Sequence, residues 1–325
     1  MKKLWMLLLT CLLCLSSPAF AAAQAQQAHL RVVCTIFPPY DWARQVLGET
    51  APGAQLTLLQ DSGVDLHSYQ PTAADIASLA ACDLFIYVGG ESDQWVEDAL
   101  EAVNNPNMRT LSLLSCVQAR EEELVEGMQA EEEQDHGHGL DEDAHEAEYD
   151  EHVWLSLRNA AQAVEAIAGV LGDIDPENAQ AYGENAQAYC QQLSRLDQRY
   201  QEAVEAASGR TLLVADRFPF RYLAEDYGLD YYAAFSGCSA ETEASFATIA
   251  FLAGKADQLG LSTLVVLEGQ DHSLAKTIIA STQTKDQSIV TMNSLQSVTG
   301  KDIEEGTTYL GVMEDNRAAL VQALG

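Results

Sequence analysis

Between Asp175 and Gly209, Ala179, Tyr182, Ala186, Tyr189, Leu193, Leu196, Tyr200, Ala203 and Ala207 recur at alternating steps of three and four. That spacing predicts one apolar helical stripe sustained for about eight turns. Asp175-Pro176-Glu177 reads as its start, with a capping Asp, Pro at the first helical position and an acid in the first turn. Ser208-Gly209 reads as its end. Some 32 residues at about 1.5 Å each make a rod of roughly 48 Å. A coiled-coil segment has the same pattern, but the flanking sequence is α/β. The rod is therefore expected to lie along two lobes and to restrict them to small tilts.

The flanks carry the strand signal. Short apolar runs at 31–36, 55–59, 84–88 and 109–113 alternate with helical patterns at 40–48, 72–80 and 93–104. The alternation returns with strands at 211–215, 230–234, 263–267 and 288–292, and helices at 219–227, 243–259, 273–281 and 307–324. Strands alternating with helices predict βαβ units and parallel sheets. The expected architecture is α/β: two Rossmann-like lobes of parallel sheet flanked by helices, joined by one long rigid helix. The domains expected are residues 29–174, the linking helix 175–208, and 209–325.

Residues 1–21 read as a removable secretory signal. Met1, Lys2 and Lys3 are followed by an apolar run over 4–15, and Ala19-Phe20-Ala21 fits the cleavage rule. The run is short for a membrane span. Cys11 and Cys14 do not follow the pattern of a lipid-anchored cysteine, so a soluble exported protein is expected, with a lipoprotein as the weaker alternative. Five cysteines follow the signal: Cys34, Cys82, Cys116, Cys190 and Cys238. The odd count leaves at least one thiol unpaired, and no pair has CxxC spacing. They read as small buried hydrophobes with room for one or two bridges.

Charge narrows the partners. Lys and Arg total 17 against 49 Asp and Glu, a formal net charge of −32. Nucleic acid is not expected, because phosphate contacts need a basic face. The balance favours a cationic ligand. Nearly half of it comes from residues 121–151, which hold 15 acids, no Lys or Arg, and His136, His138 and His145. No apolar period runs through that segment, so it reads as a mobile surface loop whose histidines hold an ion weakly, if at all.

Two histidines lie in strand-end surroundings, where open α/β sheets bind ligands. One is in Asp65-Leu66-His67-Ser68-Tyr69-Gln70-Pro71-Thr72, and the other is in Asp150-Glu151-His152-Val153-Trp154-Leu155. With DLFIYVGG (83–90), RYLAEDYGL (221–229), GCSAETEAS (237–245) and TYLGVMEDN (308–316), these stretches resemble the cluster A-I (cluster 9) solute-binding proteins of zinc and manganese ABC transporters. The resemblance covers essentially all of residues 31–325. It implies one divalent metal in an interlobe cleft, delivered to a membrane permease and its ATPase. It also implies an exported protein, in the periplasm or on the outer face of the cytoplasmic membrane, acting as a monomer without catalysis.

His67 and His152 match the family's first two ligands. The acidic loop resembles the zinc-transporting branch. The second lobe departs from the pattern. Where the family carries a His or Glu, the chain reads Val214-Ala215-Asp216-Arg217-Phe218-Pro219-Phe220, which puts Asp216 or Arg217 at the ligand position. Arg stays protonated and cannot ligate. Asp216 can, unless it pairs with Arg217 or Arg221. Strand 263–267 is followed by Glu268, Asp271 and His272, and the last strand only by Asn293. The expected ligand set is therefore His67, His152, His272 and Asp216. Glu268 is a further candidate that is equally suited to neutralising Arg217. Two imidazoles with carboxylates suit Zn²⁺, while an oxygen-rich site would suit Mn²⁺. From another class, a zinc-dependent hydrolase uses a similar set, although no HExxH helix or nucleophile elbow is present.

Overall fold

A computed structural model describes residues 30–129, 149–239, 243–269 and 272–325. The expected signal segment, His136, His138, His145 and Asp271 lie outside the described residues. The first lobe runs β1 (Arg31–Cys34), α1 (Phe37–Leu47), β2 (Gln55–Leu58), α2 (Ala73–Ala81), β3 (Leu84–Tyr87), α3 (Trp95–Ala102) and β4 (Arg109–Ser112). After α4 (Leu157–Ile174) and α5 (Ala179–Ala206), the second lobe begins with β5 (Thr211–Phe218), α6 (Arg221–Tyr227), β6 (Asp230–Ser236) and α7 (Phe246–Leu259). It continues with β7 (Thr263–Val266), α8 (Ser273–Ser281), β8 (Ser288–Thr291), α9 (Gly300–Glu304) and α10 (Tyr309–Leu324).

Each lobe holds a four-stranded, wholly parallel sheet, in the orders β2-β1-β3-β4 and β6-β5-β7-β8. The strand order reverses beside β1 in one sheet and β5 in the other, which opens a crevice at the carboxyl ends. Because helices cover both faces, the central strands are apolar on both sides. Val32, Val33 and Cys34 are buried, as are Leu84, Phe85 and Ile86, and Leu212, Leu213 and Val214. One strand breaks the ladder. In β5, Val214 faces Ala233 but Arg217 faces Phe235, so a bulge adds a residue between them. The bulge resets which side chain points where, and a period-two reading of this stretch cannot see it.

The long helix starts later than its sequence signal. Asp175 follows the end of α4 in a turn, and its carboxylate accepts from Asn178 Nδ2 (2.8 Å) and the Tyr182 hydroxyl (2.7 Å). Asn178 is the cap, because an antiparallel return from α4 needs those residues in the turn. The buried stripe is Tyr182, Ala186, Tyr189, Leu193, Leu196, Tyr200 and Val204. Val204 takes the place expected of Ala203, one step of four after Tyr200. The helix packs on α1 of the first lobe and on α10 of the second. A single apolar core runs through it from Val32 and Ile86 to Leu212, Val265 and Leu320. All five described cysteines are free, with Cys34 and Cys82 buried.

The acidic segment is not a loop throughout. Its two ends pair with each other, through a Glu121–Tyr149 bridge and Asp150 N–H donating to the Arg120 carbonyl at 2.8 Å. Residues 120–129 then run along the second lobe. Ion pairs join Arg120 to Glu225 (2.6 Å), Glu123 to Arg221 (2.6 Å) and Glu126 to Lys255 (3.1 Å). Gln129 N–H donates to the Ala234 carbonyl at 2.9 Å, on the edge strand of that sheet. Polar and backbone contacts of this kind leave no hydrophobic period to read.

Residues 150–156 are buried between the lobes. The Trp154 indole donates to the Ser294 carbonyl at 2.8 Å, and the Tyr309 hydroxyl donates to the Trp154 carbonyl at 2.6 Å. Trp154→Phe strands the buried Ser294 carbonyl and trims a packed ring. It should lower stability by about 1–3 kcal/mol, read as a lower urea midpoint with an unchanged slope. An unchanged midpoint would show that this interlobe bond adds no net stability.

Candidate metal centre

The first histidine is placed by a single turn of 3-10 helix, Leu66–Ser68. Leu66 is buried and anchors it, and Asp65 caps it by accepting the His67 N–H at 3.0 Å. Downstream, Thr72 and Asp75 form a capping box at the start of α2, and the Tyr69 hydroxyl donates to Asp75 at 2.9 Å. The His67 ring lies against Ser92, with Nδ1 to Oγ at 2.6 Å. Its Nε2 is buried and has no hydrogen-bond partner among the described residues.

The second histidine is held by Asp150, whose Oδ1 accepts both the backbone N–H (2.8 Å) and Nδ1 (3.0 Å) of His152. With the carboxylate as acceptor, Nδ1 carries the proton and Nε2 offers its lone pair. That Nε2 is also buried without a partner among the described residues. The two rings stand 5.5 Å apart between centroids. Glu151, 1% exposed, anchors one oxygen on the Ser92 N–H at 2.8 Å and leaves Oε2 buried and unpaired among the described residues.

Across the cleft, the turn after β6 brings Gly237 and Cys238 to the same place. A Cβ on Gly237 would lie 3.1 Å from the His152 ring and 2.9 Å from the Phe218 carbonyl, so only glycine allows this approach. One ligating atom each from His67, Glu151 and Cys238 falls within 4.8 Å of the other two. Among the described residues this is the group of three or more potential ligands that comes so close. Glu122, from the strap over the second lobe, accepts the Cys238 N–H at 3.2 Å and leaves Oε2 buried and unpaired among the described residues.

The other second-lobe candidates are engaged differently. The Asp216 carboxylate accepts backbone N–H groups from Arg217 (2.9 Å) and Leu267 (3.4 Å). Arg217, re-aimed by the bulge, reaches across the cleft to Asp65 at 2.7 Å and to the Ser239 carbonyl at 3.5 Å. The partner that neutralises it is thus Asp65, not Glu268. Glu268 accepts from Ser294 N–H (2.8 Å), Ser294 Oγ (2.6 Å) and Ser297 Oγ (3.2 Å). His272 occupies the cap position of α8 and is half-buried. Of the expected ligands only His67 belongs to the close group; His152, Asp216, Glu268 and His272 are not members, and Glu151 and Cys238 are the members that the sequence reading left out. Glu151 lies inside a quoted motif, next to His152. Cys238 gave no signal beyond its place in GCSAETEAS.

The electrostatics separate the two histidines. Burial, then the charge of neighbouring His152, pushes His67 down to about 4. Burial also works against a charged His152, but the Asp150 carboxylate outweighs it and raises the pKa above the usual 6.5. Burial raises Glu151 despite its bonds to Ser92. Burial and then the nearby Glu122 carboxylate raise the Cys238 thiol far above its ordinary value. Burial opposes ionisation of Asp65, yet its bond to Arg217 holds the carboxyl below the usual range. The set offers imidazole nitrogen, carboxylate oxygen and sulfur to a cation, surrounded by acids.

Comparisons with known proteins agree with this architecture. Residues 32–323 match the family model described as ZnuA, zinc-uptake complex component A, periplasmic. The chain is 33% identical over 324 residues to the zinc-binding lipoprotein AdcA of Streptococcus pneumoniae, covering 99% of this chain and 61% of that protein. It is 27% identical over 311 residues to the high-affinity zinc uptake system protein ZnuA of Bacillus subtilis, covering 96% and 92%. The crystal structure of the Zn(II)-bound ZnuA-like domain of pneumococcal AdcA superposes with a TM-score of 0.71 at 28% identity, covering 91% of this chain and 98% of that one.

A protonated imidazole has no lone pair to give, so of the two histidines His152 is where protons compete first with a metal, and His67 follows only near pH 4. Zinc affinity should therefore begin to fall above pH 6.5 and keep falling through pH 5, with a steeper loss approaching pH 4. Chelator-competition titrations across that range check it. A flat affinity from pH 7 to 5 would remove His152 from the site.

Proposed function

Because the chain belongs to the ZnuA family of zinc-uptake components, we propose that it captures Zn²⁺ in the cleft between its lobes and surrenders it to an ABC permease driven by an ATPase. It acts outside the cytoplasm, in the periplasm or on the outer face of the cytoplasmic membrane. The zinc-binding relatives support the choice of ion, and membership of a family of uptake components favours capture over the hydrolase alternative.

The observation that carries the reading is the pair of buried Nε2 atoms on His67 and His152, each on a ring fixed through its Nδ1. A buried acceptor without a partner costs free energy, and a cation between the two rings removes that cost. Asp150 and Glu151 supply negative charge at the same place. Release requires the lobes to part, which breaks the Asp65–Arg217 pair and with it the bond that helps hold the cap of the His67 turn. The continuous core through α5 keeps that movement small.

Calorimetry should find one tight zinc site per chain. His67→Ala and His152→Ala should each weaken it at least about tenfold, or about 1.4 kcal/mol. Unchanged tight binding in a folded double variant would overturn the site.

A further inference from the structure

A cation held by two first-lobe histidines needs a donor from across the cleft if closure is to seal it. The position where the family carries a His or Glu falls on Asp216 or Arg217, and Arg217 is occupied by Asp65. Asp216 and Glu268 spend their oxygens on backbone and serine donors. Among the described residues, the second-lobe side chain grouped with His67 and Glu151 is Cys238.

Three independent features build this approach. Gly237 lets the turn press against the His152 ring, 3.1 Å from where a Cβ would stand. Glu122 holds the Cys238 N–H, and Arg217 reaches the Ser239 carbonyl, so the turn is pinned on both sides of the sulfur. His152 is fully buried with Nε2 unpaired among the described residues, and Glu151 is 1% exposed with Oε2 in the same condition. Ligands around a tetrahedral zinc lie about 3.3–3.8 Å apart, given Zn–N near 2.0 Å and Zn–S near 2.3 Å. The ligating atoms of His67, Glu151 and Cys238 lie within 4.8 Å of one another, about one ångström wider than that, with His152 outside this grouping, so a bound cation would have to draw the set together.

We infer that Cys238 is the second lobe's metal donor, as a thiolate beside His67, His152 and Glu151, so that the site takes borderline and soft divalent cations over hard ones. This rests on the capture function proposed above. The incoming cation forms a metal–sulfur bond as the S–H bond breaks, and the proton leaves to solvent without any change of oxidation state. A polarizable thiolate favours Zn²⁺ and disfavours Mn²⁺, which prefers oxygen donors.

Cobalt(II) substituted for zinc tests the bond directly. One equivalent bound to the wild-type protein should give a sulfur-to-cobalt charge-transfer band in the near ultraviolet. Cys238→Ser, shown by circular dichroism to be folded, should lose the band and bind zinc at least about tenfold more weakly, with a smaller change for Mn²⁺. Zinc should also shield Cys238 of the wild-type protein from alkylation, read by peptide mass spectrometry, which needs no variant. A site that takes one zinc with no cobalt–sulfur band, or a band that survives in Cys238→Ser, overturns the thiolate donor and leaves the capture reading standing. No zinc uptake at all would overturn both.

Discussion

Residues 150–154 are a piece of the first lobe that the second lobe grips. The Tyr222 hydroxyl donates to the Asp150 carbonyl at 2.8 Å, the Tyr309 hydroxyl holds the Trp154 carbonyl, and the Trp154 indole holds Ser294. Each of these polar atoms is buried, so each bond would leave an unsatisfied group if it were broken. His152 sits in the middle of the gripped segment. Its position is therefore tied to the interface between the lobes as well as to its local bond with Asp150.

Charge is arranged on the same principle. Asp65, Glu122, Asp150 and Glu151 lie around His67, His152 and Cys238, and Arg217 comes from the opposite lobe to pair with Asp65 at 2.7 Å. Asp65 also caps the turn that carries His67. One carboxylate thus joins the pairing across the cleft to the position of His67. The pair is about a quarter exposed on each side chain, so solvent screens it and its net energy is small. Its importance is geometric. Arg217, which stays protonated and cannot ligate, is here a strut across the cleft.

The strap of residues 120–129 adds a second crossing. Three ion pairs and a backbone bridge fix it to the second lobe, and Glu122 within it touches the turn that carries Cys238. Gly127 has a positive φ of 87° and stands where a Cβ would collide with the Phe251 ring, so the strap lies flush on α7. The roots of the acidic segment are part of the site's wall.

Much of this was legible in the sequence, because periodicity reports local structure directly. All eight strands, their alternation with helices and the stripe of the long helix follow from which residues are apolar at steps of two or 3.6. Asp65 and Asp150 each accept the N–H of the histidine two positions on, a local contact that the sequence reading did not draw on. What the tertiary structure alone decided is the second half of the site. A bulge in β5 turned Arg217 toward Asp65, 152 residues away in sequence, and a glycine after β6 let the turn that carries Cys238 press on the His152 ring. Neither contact leaves a period or a cap in the chain, because a cross-cleft contact depends on the distance between two folded lobes, and distance in space is not encoded by spacing along the sequence.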